Sequence, residues 1–86
     1  MARFDVLIKP SAVKEIETIA SMTDRRRIAA KIRRLADDPS PPGCRKLSGR
    51  DRYRIRVGVC RILYSIRERQ HVVFVVKVGH RKNVYH

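Results

Sequence analysis

The spacing of apolar residues changes several times along this chain. Residues 3–9 read RFDVLIK, a run of strand formers that stops at Pro10. Val13, Ile16, Ile19 and Ala20 then recur at helical intervals. This predicts an amphipathic helix capped by Ser11, with Lys14, Glu15 and Glu17 facing away from the core. The segment SMTD breaks that pattern, and Thr23 or Asp24 is placed to cap a second helix. Ile28, Ile32, Leu35 and Ala36 form its apolar stripe. A short link between two amphipathic helices predicts an antiparallel helical hairpin. Residues 37–44, DDPSPPGC, carry three prolines that remove donors and fix φ, so this stretch reads as loop. Three strand-like runs follow at 52–57, 60–67 and 71–78. The last, HVVFVVKV, is almost continuously apolar, as for a strand covered on much of both faces. The order is an N-terminal strand, a two-helix hairpin and a three-strand antiparallel meander. It predicts an α+β domain with the helices packed on one face of an antiparallel sheet. At 86 residues the chain, 1–86, is one domain.

Turn chemistry fixes a register for the first hairpin. Gly58-Val59 suits a two-residue loop with glycine first, as a type II′ turn prefers. Val57 then falls opposite Cys60, Arg56 opposite Arg61, Ile55 opposite Ile62, and Tyr53 opposite Tyr64. The apolar partners share one face; Arg54, Arg56 and Arg61 share the other. Arg56 facing Arg61 is destabilising by itself, and Asp51 lies only at the start of the strand.

Composition sharpens the meaning of that face. The chain holds 21 Lys+Arg against 8 Asp+Glu, a formal charge of +13. Such a protein attracts polyanions: nucleic acid first, an acidic protein second, an anionic membrane surface last. No apolar run reaches the roughly 20 residues needed to span a bilayer, and the N-terminus lacks signal-peptide architecture. The two cysteines, Cys44 and Cys60, have no metal-ligand spacing and read as reduced thiols of a cytoplasmic protein. A charged strand face is by default a solvated face. Three arginines gathering in a very basic domain favour an anion site instead, since the guanidinium fork matches phosphate and stays charged.

The C-terminal segment KVGHRKNVYH adds His80, Arg81 and Tyr85. Taken alone, His80 reads as a hydrogen-bonded turn residue and Tyr85 as a C-terminal core plug. Beside an arginine cluster they match the needs of RNA cleavage without metal or cofactor. A base takes the 2′-OH proton, cations hold the developing phosphate charge, an acid protonates the 5′ oxygen, and a ring stacks on a base. The cations of the second helix, Arg25, Arg26, Arg27, Lys31, Arg33 and Arg34, read either as a solubilising exterior or as contacts to rRNA phosphates. Lys46, Arg50 and Arg52 join the RNA- and ribosome-binding candidates.

The motifs YRIRVG, CRILY and VGHRKNVY, in this order of elements, resemble the RelE/ParE toxin superfamily over nearly the whole chain. The likeness is to RelE-type toxins of type II toxin–antitoxin pairs. It implies an antiparallel sheet with two N-terminal helices and metal-independent cutting of mRNA in the ribosomal A site. It also implies a cognate antitoxin and, through the antitoxin complex, indirect contact with operator DNA. The family's two first-strand lysines correspond to Arg54 and Arg56, and its next-strand arginine to Arg61. Its leaving-group acid corresponds to Arg81 and its nucleotide-stacking tyrosine to Tyr85. One of those lysines is a proposed general base. An arginine, with a pKa above about 12, is a poor substitute. His80 is the natural replacement; otherwise the rate comes from distorting the mRNA and stabilising charge. An arginine that some members carry after the KL pair corresponds to Ser48. The competing implication of the same scaffold is a ParE-like toxin that inhibits DNA gyrase and cuts nothing.

Overall fold

A computed structural model describes residues 3–47 and 51–80, with the backbone alone at His80. The elements follow in the order β1 (Asp5–Ile8), α1 (Pro10–Glu17), α2 (Met22–Leu35), β2 (Arg45–Lys46), β3 (Arg52–Val57), β4 (Cys60–Arg67) and β5 (Val72–His80). The five strands form one sheet ordered β1-β5-β4-β3-β2. The meander β3-β4-β5 is antiparallel, as its short turns require. β1, however, runs parallel to β5, with Val6 beside Val73 and Ile8 beside Val75. The sheet is therefore mixed, not antiparallel throughout. The two helices between β1 and the meander supply the long crossover that parallel neighbours need.

Both helices lie on one face of the sheet, and the core forms between the layers. Ala12 of α1 and Ile28, Ile32 and Leu35 of α2 are buried against Ile55, Val57, Cys60, Ile62, Tyr64, Val73, Val75 and Val78. The stripe read for α2 is the stripe observed, with Ala36 also buried at its end. α2 starts two or three residues earlier than expected from Thr23 or Asp24: Ser21 is the N-cap, and its hydroxyl accepts from the Asp24 amide at 3.2 Å. Asp24 lies instead in the first turn, where a carboxylate suits the helix dipole.

α1 departs further. Its N-cap is Lys9, without a side-chain cap, and Pro10 occupies the first turn. Proline is pre-organised for that position and lacks the amide a cap would satisfy, so Ser11 falls inside the helix. The helix ends at Glu17, and its one fully buried side chain is Ala12; Val13 and Ala20 are exposed. Glu15 does not face away. Its carboxylate accepts from the Val78 amide at 3.0 Å and from Lys77 Nζ at 3.2 Å, tying α1 to β5. The tie falls next to an irregularity, since the β4–β5 register shifts between Leu63 and Tyr64.

The loop after α2 is also built. Pro41, Pro42, Gly43 and Cys44 make a turn in which the Cys44 amide donates to the Pro41 carbonyl at 3.1 Å, with Gly43 at φ +92°. Proline then glycine at the two central positions is the type II pattern. Upstream, the buried Tyr64 hydroxyl donates to the Pro39 carbonyl at 2.7 Å, and its ring stacks on Tyr53 at 5.8 Å. Burial, then the neighbouring Cys44, pushes the Tyr64 phenol well above its ordinary value. This anchored loop delivers β2, a strand that the proline-rich pattern gave no reason to expect.

Candidate functional site

The hairpin β3–β4 folds in the register its turn dictates. Val57 pairs with Cys60, Arg56 with Arg61, Ile55 with Ile62, and Tyr53 with Tyr64. Gly58 has φ +60° and Val59 a negative φ, which fits a type II′ turn. Because Ile55, Val57 and Ile62 are buried under the helices, alternation sends Arg54, Arg56 and Arg61 to the opposite face. Arg52, across from Ser65, belongs to the same row.

The three arginines differ in exposure. Arg56 is exposed, Arg54 is half-buried, and Arg61 is only 2% accessible. Thus the like-charged pair is split: one guanidinium reaches solvent and the other is sunk into the face. Leu63 and Ser65, on the same side of β4 as Arg61, are buried as well. A cation in such surroundings acts through a lower effective dielectric than one in water. Neither Arg54 nor Arg61 is a free cation, because each has an interaction partner. Arg61 lies across from Gly79 of β5, and Cys60 lies across from His80. The backbone of His80 is therefore one strand away from the arginine pair, but its register partner is Cys60, a residue of the helix-side core, and not a member of the arginine row. Arg81 and Tyr85 lie outside the described residues, as do Arg50 and Ser48.

The remaining candidates do not join this cluster. Arg26, Arg27, Arg33 and Arg34 are exposed on α2, across the sheet from Arg54, Arg56 and Arg61. Arg25 and Lys31 are half-buried, and Lys31 lines a cleft with Arg34, Asp37 and Asp38. Arg27 reaches over the β3–β4 turn, its Nη1 3.6 Å from where a Cβ on Gly58 would stand. Lys46 is exposed opposite Tyr53, at the far edge of the sheet. The chain therefore carries cations on both faces: the arginine row on one, the helix cations on the other.

One cation in the site was not among the sequence candidates. Arg45 of β2 pairs with Arg54, and with Arg54, Arg56 and Gly43 it lines a cleft of about 380 Å³. The signal was present in the arginine itself, but nothing in its neighbours marked a strand there. Cys60 is buried, and burial, then Asp24, raises its thiol above the ordinary value, which keeps it protonated. Among the described residues no three His, Cys, Asp or Glu side chains gather as a metal site, and no helix is long and apolar enough to cross a membrane.

With this geometry, likeness to known proteins carries weight. A family model described as the ParE toxin of a type II toxin–antitoxin system, parDE, matches residues 6–85. Comparison with curated protein sequences gives no significant match. Among solved structures, the archaeal RelE–RelB complex from Pyrococcus horikoshii OT3 is similar, with 28% identity and a TM-score of 0.83, covering 94% of this chain and 97% of that one. A double arginine-to-alanine mutant of the E. coli toxin RelE in the free state has 28% identity and a TM-score of 0.78, covering 98% and 88%. The YoeB/ParE toxin from Agrobacterium tumefaciens, at 15% identity and a TM-score of 0.77 over 91% and 99%, shares the fold.

Proposed function

This chain belongs to the ParE toxin family of type II toxin–antitoxin systems, within the RelE/ParE superfamily, and on that premise we propose that it is a ribosome-dependent mRNA endoribonuclease. The observation that carries the reading is the placement of Arg54, Arg56 and Arg61 together on the sheet face away from the helices. The similarity to RelE structures at 28% identity supports it.

In this reading the substrate 2′-oxygen attacks the adjacent phosphorus, the bond to the 5′ oxygen breaks, and a 2′,3′-cyclic phosphate and a 5′-hydroxyl form. Charge builds on the non-bridging oxygens as the phosphorus becomes five-coordinate. Arg54 and Arg56 grip those oxygens, and Arg61 stabilises the same charge from its dry floor. A fixed donor of this type contributes on the order of 10²–10³ in rate. His80, at the end of β5, takes the 2′-OH proton. Arg81 assists departure of the 5′ oxygen and Tyr85 stacks on the exposed base. Cations on α2 hold rRNA phosphates, which separates docking from cutting. A cognate antitoxin is the expected regulator, since similar structures include toxin–antitoxin complexes. It would bear an acidic segment complementary to this surface, and the pair would reach operator DNA through the antitoxin. The site of action is then the cytoplasm.

A second reading has its own support, because the matching family model is named for ParE. A ParE-like toxin would inhibit DNA gyrase and leave RNA intact. Incubating the protein with programmed ribosomes, and separately with gyrase and plasmid DNA, decides between them. A-site cleavage with intact plasmid upholds the nuclease. Gyrase-linked DNA breaks with intact mRNA overturn it.

A further inference from the structure

The cleft at the β2–β3 edge is lined by Arg45, Arg54, Arg56 and Gly43, three guanidinium groups against one glycine. Its construction is deliberate at every step. Tyr64 holds the loop at Pro39, the Pro41–Cys44 turn reverses the chain, and Gly43 takes a positive φ that other residues rarely adopt. β2 then lands with Arg45 directly across from Arg54. No side chain rises from Gly43, and a Cβ there would meet nothing within 4 Å, so the backbone wall leaves room for a ligand. Among the described residues no acid lines this cleft.

Arg61 does not line it either. It is buried on β4, two strands in from Arg45, a lateral distance of about 10 Å at the usual strand spacing. One anion at Arg61 therefore leaves Arg45 over. We propose that Arg45 completes a second anion seat, which binds a backbone phosphate of single-stranded RNA flanking the one that is cut. This rests on the nuclease reading for its substrate and extends the site to a residue that reading does not use. An RNA strand laid across the sheet from β5 to β2 passes over the buried Arg61, then meets Arg54 and Arg56, then Arg45. A backbone contact of this kind raises affinity without selecting sequence.

The test uses a short single-stranded RNA with 2′-deoxy sugars, which cannot be cut, and reads its binding to the full chain by fluorescence anisotropy across a salt series. Arg45 is exposed, so Arg45→Gln folds normally. It is expected to weaken binding about five- to tenfold at low salt and to reduce the salt slope by about 0.7, the loss of one phosphate contact. Arg45→Lys should restore most of the slope, while Lys14→Gln, which removes one charge from exposed α1, should leave it in place. A parental slope in Arg45→Gln overturns the proposal. So does failure of the parental chain to bind the RNA, or binding of an acidic peptide in its stead. Ribosomal cleavage is measured in parallel. Cleavage with an unchanged Arg45→Gln slope removes this seat and keeps the nuclease; a lost slope without cleavage keeps the seat and removes the nuclease.

Discussion

Replacing Glu15 by alanine should destabilise the protein more than any other change of an α1 side chain outside the core. Its carboxylate accepts from a backbone amide, Val78, at 3.0 Å and from the Lys77 ammonium at 3.2 Å. Both contacts are part-buried. A hydrogen bond to a charged acceptor contributes about 1.5–3 kcal/mol, because the amide left behind has lost water as well as its partner. The ion pair adds little. Its side chains are 36% and 31% exposed, and pairs near water contribute from nothing to about 1 kcal/mol. Losing both should therefore cost about 2 kcal/mol. For a domain of this size each kcal/mol moves Tm by about 4–8 °C, so Glu15→Ala should melt roughly 8–16 °C lower in a calorimetric scan. Glu15→Gln keeps an amide oxygen for Val78 and should recover more than half of the loss. Exchange of the Val78 amide hydrogen, followed by NMR, should accelerate in the alanine variant and much less in the glutamine one. A melting point within 2 °C of the parent would refute the reasoning, as would a glutamine variant no better than alanine.

Further expectations concern Tyr64 and the chemistry of the site. Tyr64→Phe leaves the Pro39 carbonyl without its donor and should cost about 1–2 kcal/mol in urea denaturation. The same substitution should alter alkaline unfolding. The folded phenol titrates above the ordinary value of 10, so the folded state holds its proton where the unfolded state has released it. Stability from this group is complete below pH 10 and falls as pH rises above it, and Tyr64→Phe should lack that fall. In single-turnover cleavage across pH, His80→Ala should be slower and should change the pH–rate profile, while Arg56→Lys should keep or improve the rate. A histidine variant with the parental rate and pH profile would remove His80 as base.

Much of the fold can be read from the chain because local rules agree with each other. In the β3–β4 hairpin, Gly58 selects the turn, and alternation of Tyr53, Ile55 and Val57 selects the face. The two constraints meet in one register, which is the observed one. The α2 stripe is legible for the same reason: Ile28, Ile32 and Leu35 repeat over about two turns without interruption. The features that escape depend on distant partners or on too few residues. Nothing in RFDVLIK specifies that β1 runs parallel to β5, since that choice is made by the crossover and by what the sheet edge offers. Glu15 looks like any exposed acid on a helix until β5 supplies an amide beside a register shift. β2 spans only Arg45–Lys46, too short to show a period, and follows three prolines. Missing that strand meant missing Arg45. Within the site, the common face of Arg54, Arg56 and Arg61 followed from alternation, but the burial of Arg61 did not. Burial depends on what packs over β4, and a period of two is silent on that.

The account depends most on Arg61 acting at a phosphate undergoing transfer. Its most direct test is single-turnover cleavage of A-site mRNA by the parental chain and by Arg61→Ala, with chemical analysis of the new RNA ends. The account predicts a 2′,3′-cyclic phosphate and a 5′-hydroxyl, with cleavage slowed about 100-fold or more in the variant. Parental mRNA left whole, or Arg61→Ala cutting at the parental rate, would contradict it.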